Sequence, residues 1–290
     1  MGLQTYFNGN PSDSVARKAA LSALALDASK DITSVRCITS GASCSGRIIA
    51  KSSFVLCGIV EADAVFRSRK VRVKWKYSEG AKVRKGNAVA TVKGNCRSVL
   101  ACERTALNYL ALLSGIATKS ANAAKKYGEW KIAATRKTSP LLSDSEKRAV
   151  KVGGCLTHRM NLADGILIKD NHIAAIMKLR KCGKEKAIYF AVKSFGKHSF
   201  VEIEVSTVSE AISAAWAGAK AILVDNVTPA ALKKIAKAAR SINHRIIIEA
   251  SGGITLSNAG RYLRAGADFV STSELTMKIE PANLSLEIDF

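Results

Sequence analysis

Ionisable and polar side chains stand at or just past the ends of several short apolar runs. Arg136 and Lys137 follow Lys131–Thr135, and Lys169 with Asp170 and His172 closes Gly165–Lys169. Glu202 and Glu204 lie in Phe200–Val205, Asp225 with Asn226 ends Ala221–Asp225, and Glu249 with Ser251 ends Arg245–Ala250. Runs of this length read as strands, and strand ends converging on one rim would pool these groups in a single site. Arg136, Lys137, His158, Arg159 and Lys169 form a cationic set suited to carboxylates and phosphates, arginine through a bidentate grip and lysine as a point charge. Each charge-assisted contact is worth roughly 1.5–3 kcal/mol, so several together could hold a polyanion.

Two further features point the same way. In Val201-Glu202-Ile203-Glu204-Val205 the alternation places both glutamates on one face. A buried carboxylate pair is costly unless it meets cations or a metal, so that face is expected to look into the site. A solvated edge strand is the plainer alternative, and the apolar neighbours speak against it. Ser251-Gly252-Gly253-Ile254 lies between an apolar run and a helix starting near Ser257, where its N–H groups could cradle a phosphate.

The elements that must position these groups fall into two regions. Residues 1–103 read as a mixed α+β unit. Ser14–Leu26 has helical spacing, and Val71 to Tyr77 alternates strictly, with Val71, Val73, Trp75 and Tyr77 on one face and cations on the other. Glu79 to Gly86 resembles the hairpin of biotinyl and lipoyl carrier domains without their modified-lysine turn, and reads as scaffold. A long helix is expected over about Arg104–Lys126, with Leu107, Leu110, Leu113 and Ile116 at helical intervals. Beyond it strands alternate with helices, at Lys131–Thr135, Gly165–Lys169, Ile188–Val192, Phe200–Val205, Ala221–Asp225, Arg245–Ala250 and Phe269–Ser273. Repeated βα units imply a parallel sheet, and the polar strand ends favour a barrel over a doubly wound sheet. The division expected is 1–103 for a sandwich domain, 104–270 for a barrel and 271–290 for a C-terminal segment returning to the first domain.

Composition bounds the classes of function. A chain of 290 residues, 48% hydrophobic, can bury a full core, which excludes disorder throughout. With 45 Lys+Arg against 23 Asp+Glu the formal charge is +22, favouring anionic partners. Aromatic residues make up only 6% and the cations are dispersed, unlike the basic aromatic stretches of single-strand binders. The 7 cysteines are scattered with no CxxC pair, the pattern of a reduced cytoplasmic chain. No apolar run reaches the roughly 18 residues that span a bilayer, and the N-terminal stretch MGLQTYFNGN lacks a signal-peptide core.

Several motifs carry a more specific likeness. Glu103-Arg104-Thr105-Ala106-Leu107-Asn108, Ser114-Gly115-Ile116-Ala117-Thr118, Thr135-Arg136-Lys137-Thr138, His158-Arg159, Leu167-Ile168-Lys169-Asp170-Asn171-His172, Asp225-Asn226 and Glu249-Ala250-Ser251-Gly252-Gly253-Ile254 resemble, in order, the motifs of the quinolinate phosphoribosyltransferase family. The resemblance implies an N-terminal α/β sandwich, an incomplete α/β barrel and a dimer in which one subunit's sandwich covers the other's barrel mouth. It implies quinolinate and phosphoribosyl pyrophosphate as substrates, with magnesium, and nicotinate mononucleotide, pyrophosphate and carbon dioxide as products. By this likeness Thr135, Arg136, His158, Arg159 and Lys169 bind the pyridine diacid, with Lys137 alongside and Arg104 from the partner subunit. Lys137, Lys169, Glu204 and Asp225 are the residues it marks as catalytic. Glu204 and Asp225 lie near the ribose and metal, and Ser251, Gly252, Gly253 and Ser273 mark the phosphate site.

This chain departs from the family pattern in three places. Pro140-Leu141-Leu142-Ser143 stands where the family has Pro-Gly-Leu-Arg, so a glycine and a cation are missing. Ser273, followed by Glu274, replaces a glycine of the phosphate site, and Thr276-Met277-Lys278 replaces Thr-His-Ser. Asp27 to Thr33 keeps only part of an acidic entry motif. The competing readings are a related barrel enzyme or paralogue acting on another ring acid, such as the molybdenum-transport-associated protein, and a catalytically weak barrel that binds nucleic acid. Lys169 and Asp170 argue against that paralogue, which lacks both.

Overall fold

The computed structural model describes residues 6–196 and 199–289; positions 1–5, where the N-terminal reading begins, lie outside the described residues. The chain groups into two compact units. One comprises Asn10–Lys126, Lys137–Cys155 and Leu275–Phe290, the other Met1–Gly9, Tyr127–Arg136 and Leu156–Glu274.

The first unit opens with α1 (Asp13–Asp27), α2 (Ile32–Cys37), β1 (Ser43–Ala50), β2 (Phe54–Val55) and α3 (Ile59–Ser68). It continues with β3 (Arg72–Trp75), β4 (Lys82–Val83), β5 (Ala88–Asn95) and the long α4 (Cys96–Tyr127). Helix α1 starts where Ser12 accepts the Val15 N–H, and it buries Ala16, Ala20 and Leu24 at fourfold spacing. The expected alternation holds around β3: Val71 is buried, while Arg72 and Lys74 are exposed. Helix α4 begins well before Arg104. The Asn95 carboxamide accepts the Ser98 N–H at 3.3 Å, capping the first turn of the helix where it follows β5 directly.

The second unit starts with β6 (Ile132–Ala134), after which α5 (Ser143–Val152) belongs to the first unit again. There follow β7 (Ile166–Ile168), α6 (Asp170–Arg180), α7 (Lys184–Lys193), β8 (Val201–Val205), α8 (Val208–Ala217) and β9 (Ala221–Asp225). Then come α9 (Pro229–Ile242), β10 (Ile247–Ser251), α10 (Ala259–Arg264), β11 (Phe269–Thr272), the short α11 (Glu274–Met277) and β12 (Leu284–Asp289). One expectation is corrected here: Ile188–Val192 is not a strand but part of α7. Ala187, Ile188, Ala191 and Val192 are its buried residues, a helical stripe that a short apolar run cannot distinguish from a strand.

In the first unit β12-β1-β5-β3 form an antiparallel sheet, so the C-terminal strand lies beside β1. Arg148 on α5 reaches Glu61 on α3 and, at 2.8 Å, Asp13 on α1, an ion-paired tie among three helices. The second unit holds a six-stranded parallel sheet in the order β6-β11-β10-β9-β8-β7. Its end strands β6 and β7 are not paired with each other, so the barrel is incomplete. Leu156 instead extends the β6 edge, exchanging bonds of 2.8 and 2.9 Å with Ala134 and Ile132, and His158 N–H goes on to the Phe7 carbonyl at 2.7 Å. Phe7, Ala133, Leu156, Ala221 and Phe269 pack beneath as one buried cluster. The fold is thus an incomplete α/β barrel with a separate antiparallel α/β unit.

Candidate active site

The parallel strands fix what the barrel rim can carry, because each ends just where its polar residue begins. Lys169 follows β7, Asp225 and Ser251 are the last residues of β9 and β10, and Thr135 and Arg136 follow β6. Register makes neighbours of the last two strand ends, Ser251 lying opposite Asp225. The rim of the barrel unit therefore gathers Thr135, Arg136, Lys169, Glu204, Asp225, Ser251, Gly252 and Gly253. Lys137 is exposed and belongs to the other unit, where its carbonyl accepts from Thr276 Oγ1 at 2.7 Å. Arg104 is exposed on α4 in that unit as well.

Anionic and cationic halves are legible on this rim. Lys169 Nζ lies 3.3 Å from Glu204 Oε2. Burial raises the Glu204 pKa, Lys169 lowers it, and the nearby charges of Asp225 and Asp170 raise it again. Glu204, with Asp225 and Asp170 near enough for their charges to act on it, makes this half of the rim acidic. On the cationic side Arg159 is only 8% exposed, and its pKa is lowered by burial and then by the neighbouring Arg136 charge. Two guanidinium groups held in mutual repulsion, one of them desolvated, form a place where an anion relieves strain.

The glycine turn is shaped by close approach. Gly252 has φ of 79°, and a Cβ there would lie 2.5 Å from the Asn226 backbone nitrogen. The carbonyl of Ser251 accepts that same Asn226 N–H at 3.1 Å, which seats the turn against the end of β9. The N–H groups of Gly252, Gly253 and Ile254 donate to no group of the described chain, and so are left for an incoming anion. Behind the turn, Thr272 Oγ1 donates to the Ile254 carbonyl at 2.6 Å and Glu274 accepts the Leu256 N–H at 2.7 Å. The acid that follows Ser273 is thereby turned onto the loop backbone. Ser273 itself is half-buried just past β11.

His158 lies deeper than the other cations. It is 7% exposed, edge-on to Phe7 at 5.2 Å, with Nε2 2.9 Å from Glu249 Oε2 and 3.5 Å from Glu202 Oε2. Its Nδ1 accepts the Arg159 N–H at 2.8 Å. Burial disfavours an imidazolium and the two carboxylates favour one. The carboxylates outweigh burial and push the His158 pKa up to about 10. Burial and then the Glu249 charge push the Glu202 pKa up to about 8, leaving it protonated at neutral pH. Burial would also raise the Glu249 pKa, but the charge of His158 and then hydrogen bonds from His158, Glu202 and Ser271 bring it below the usual carboxylate range.

The three ligand atoms of His158, Glu202 and Glu249 lie within 4.8 Å of one another, and Glu202 Oε1 and Glu249 Oε1 have no partner among the described residues. A metal there would need the Nε2 lone pair while Nδ1 also accepts a hydrogen bond, which demands an imidazolate. The cluster is therefore a proton-bearing core network. Position in sequence identified Glu202 and Glu249 as polar strand residues. Nothing in the sequence signalled that they close on His158.

Fold and rim together define a half-barrel enzyme class with a glycine turn and opposed cations at its strand ends. More particularly, residues 31–114 match the family described as Quinolinate phosphoribosyl transferase, N-terminal domain, and residues 115–287 the C-terminal domain of the same family; the chain belongs to it. It is 38% identical over 266 residues to a probable nicotinate-nucleotide pyrophosphorylase [carboxylating] of Methanocaldococcus jannaschii, covering 89% of this chain and 91% of that one. It is 37% identical to the human nicotinate-nucleotide pyrophosphorylase [carboxylating], covering 82% and 80%. The solved structure of the nicotinate-nucleotide pyrophosphorylase from Francisella tularensis superposes with a TM-score of 0.83 at 30% identity, covering 97% of this chain and 100% of that one. Among the described residues no helix is long and apolar enough to cross a membrane.

Proposed function

We propose that the protein transfers the phosphoribosyl group of phosphoribosyl pyrophosphate to the ring nitrogen of quinolinate, with loss of carbon dioxide. The products are nicotinate mononucleotide and pyrophosphate. The observation that carries this reading is the division of one rim into opposed cations, Arg136, Arg159 and Lys169, and a carboxylate pair, Glu204 and Asp225, beside the open N–H groups of the glycine turn. Each half complements one feature of the reaction.

The cations would hold the two carboxylates of the pyridine ring and so aim its nitrogen at C1 of the ribose. The turn Ser251-Gly252-Gly253, with Ser273, would take the 5-phosphate on its backbone. As the bond from C1 to pyrophosphate lengthens, positive charge grows on the sugar, and Glu204 and Asp225 lie where they would stabilise it. They would also hold magnesium, which when bound neutralises charge on the departing pyrophosphate. Once the ring nitrogen is quaternary, its positive charge stabilises the carbanion left on the neighbouring carbon as the adjacent carboxylate departs as carbon dioxide, and a proton from solvent then bonds to that carbon. Among the described residues Lys169 Nζ has the 3.3 Å contact to Glu204 to give up in order to face a substrate carboxylate.

Arg104 and Lys137 fit the same reading as further cations for the diacid, Arg104 in a homodimer whose subunits share sites. The same reading puts the protein in a reduced cytoplasmic setting, which its free cysteines and metabolite substrates support. The test is release of labelled carbon dioxide from quinolinate. It is expected only when phosphoribosyl pyrophosphate and magnesium are both present, and its absence across a range of pH would discard the reading. Salt-sensitive retention of nucleic acid without turnover would favour a binding protein instead.

A further inference from the structure

We infer that Glu274 and Thr272, where β11 ends, are positioning residues for the glycine turn. They fix the backbone of Ile254–Leu256 so that the N–H groups of Gly252, Gly253 and Ile254 stay aimed at one incoming phosphate. The inference rests on the reading of that turn as the ribose-phosphate site.

A backbone polar group buried without a partner is costly, so the destinations of these groups can be followed one by one. The Gly253 carbonyl accepts from Asn258 Nδ2 at 3.2 Å, and the Ile254 carbonyl from Thr272 Oγ1 at 2.6 Å. The Thr255 carbonyl accepts the Ala259 N–H at 3.0 Å, and the Leu256 carbonyl accepts from the Tyr127 hydroxyl. On the donor side, Thr255 N–H goes to Asn258 Oδ1 at 2.9 Å and Leu256 N–H to Glu274 Oε2 at 2.7 Å. What remains is the run of three N–H groups from Gly252 to Ile254. Gly252 and Gly253 have φ of 79° and 61°, a left-handed pair that suits glycine and leaves consecutive donors to form an anion-binding concavity.

The ties differ in what they refer the turn to. Asn258 belongs to the same loop and would travel with it. Thr272 and Glu274 come from the neighbouring strand and hold the loop to the sheet. Register explains why they reach it: β11 pairs with β10 at Glu249–Phe269 and Ala250–Val270, so the residues that follow on β11 run beside the chain leaving β10. Thr272 is 2% exposed, and its Oγ1 also accepts the Glu274 N–H at 3.2 Å, which joins the two anchors to each other. A carboxylate behind an anion site repels the anion by its charge. Its hydrogen bond acts the other way, since a charged acceptor holds an N–H about twice as strongly as a neutral one. Glu274 thus serves through the acceptor oxygen and not through the charge.

The test compares Glu274→Gln with Glu274→Ala in the full-length protein. Glutamine keeps an acceptor oxygen for the Leu256 N–H without the charge, and alanine keeps neither. For Glu274→Ala, KM for phosphoribosyl pyrophosphate is expected to rise at least about tenfold while KM for quinolinate changes less than about threefold; Glu274→Gln is expected to restore the first constant to within about threefold of wild type. Equal weakening of both substrates, an alanine variant that matches wild type, or a glutamine variant as weak as alanine would overturn the inference. Should the alanine variant not fold, Thr272→Val removes the other anchor at nearly the same volume, and the same selective rise is expected of it. A further measurement needs no turnover: backbone amide signals are followed in wild type and Glu274→Ala as inorganic phosphate is added. The amides of Gly252, Gly253 and Ile254 are expected to move in wild type, and the Leu256 amide to exchange with solvent at least about tenfold faster in the variant. Wild-type amides that ignore phosphate would remove the phosphate reading and the inference with it. Amides that move, with Leu256 exchange equal in both proteins, would overturn the inference alone.

Discussion

Lys169 is the rim cation whose partner is best defined, half-exposed at the end of β7 and bonded to Glu204. Because it pairs through solvent-accessible geometry, its removal should leave the fold intact. Lys169→Ala is expected to weaken quinolinate binding about ten- to a hundredfold with an unchanged melting temperature, checked by steady-state kinetics and thermal unfolding. Loss of folding with unaltered affinity would make it a structural residue. Glu202 offers a different test, in pH. Its folded pKa is raised to about 8 from the ordinary 4.5 of a glutamate, so the folded state holds the proton more tightly than the unfolded chain. The resulting stability is fully present below about 4.5 and is lost as pH rises through about 8. Urea unfolding at pH 5 and pH 9 should therefore show wild type losing a few kcal/mol relative to Glu202→Gln, in which the titration is absent. Parallel pH profiles for the two proteins would show that Glu202 is ionised throughout.

At the level of elements, the glycine turn after β10 makes the sharpest claim. Gly252→Ala forces a methyl to within 2.5 Å of the Asn226 nitrogen, at a φ that disfavours any side chain. The loop must shift, carrying the open N–H groups away from the phosphate. KM for phosphoribosyl pyrophosphate is expected to rise more than KM for quinolinate, and an unaffected enzyme would mean the phosphate sits elsewhere. The turn before α5 makes the opposite case. Leu141 stands at the family's glycine position with φ of 66° and is 88% exposed, so its side chain adds strain with little burial in return. Leu141→Gly should be neutral or stabilising by up to about 1 kcal/mol, measured by urea unfolding.

For the whole molecule, the expectation concerns assembly. If Arg104 serves a neighbouring subunit's site, Arg104→Ala and Lys169→Ala should each be weak alone, and mixing the two should restore part of the activity as heterodimers place both defects in one shared site. No recovery after subunit exchange would count against shared sites. The +22 charge belongs to this scale as well. Only part of it surrounds the rim; much lies on outward faces such as Arg72 and Lys74 of β3, which are exposed. Both substrates are polyanions, so such a field raises their local concentration, and KM for either should increase with ionic strength.

Much of this protein could be read along the chain because the signals are local. Strand ends β6, β7, β9 and β10 were legible from apolar runs closing on polar residues, and the alternation in Val201–Val205 put both glutamates on one face. Motif order was enough to indicate the family. The run Ile188–Val192 failed because five apolar residues satisfy a helix or a strand equally, and only packing in α7 chooses. The start of α4 was hidden because an asparagine cap, not a breaker, marks it. What tertiary structure alone decided is how far each rim residue lies from solvent. His158 and Arg159 are adjacent in sequence, yet one ring nitrogen is turned to Glu249, some ninety residues on, and the other to its neighbour's backbone. Composition and periodicity specify which face of a strand a side chain occupies. Its depth in the barrel, its partners and therefore its protonation depend on strands brought together from distant parts of the chain.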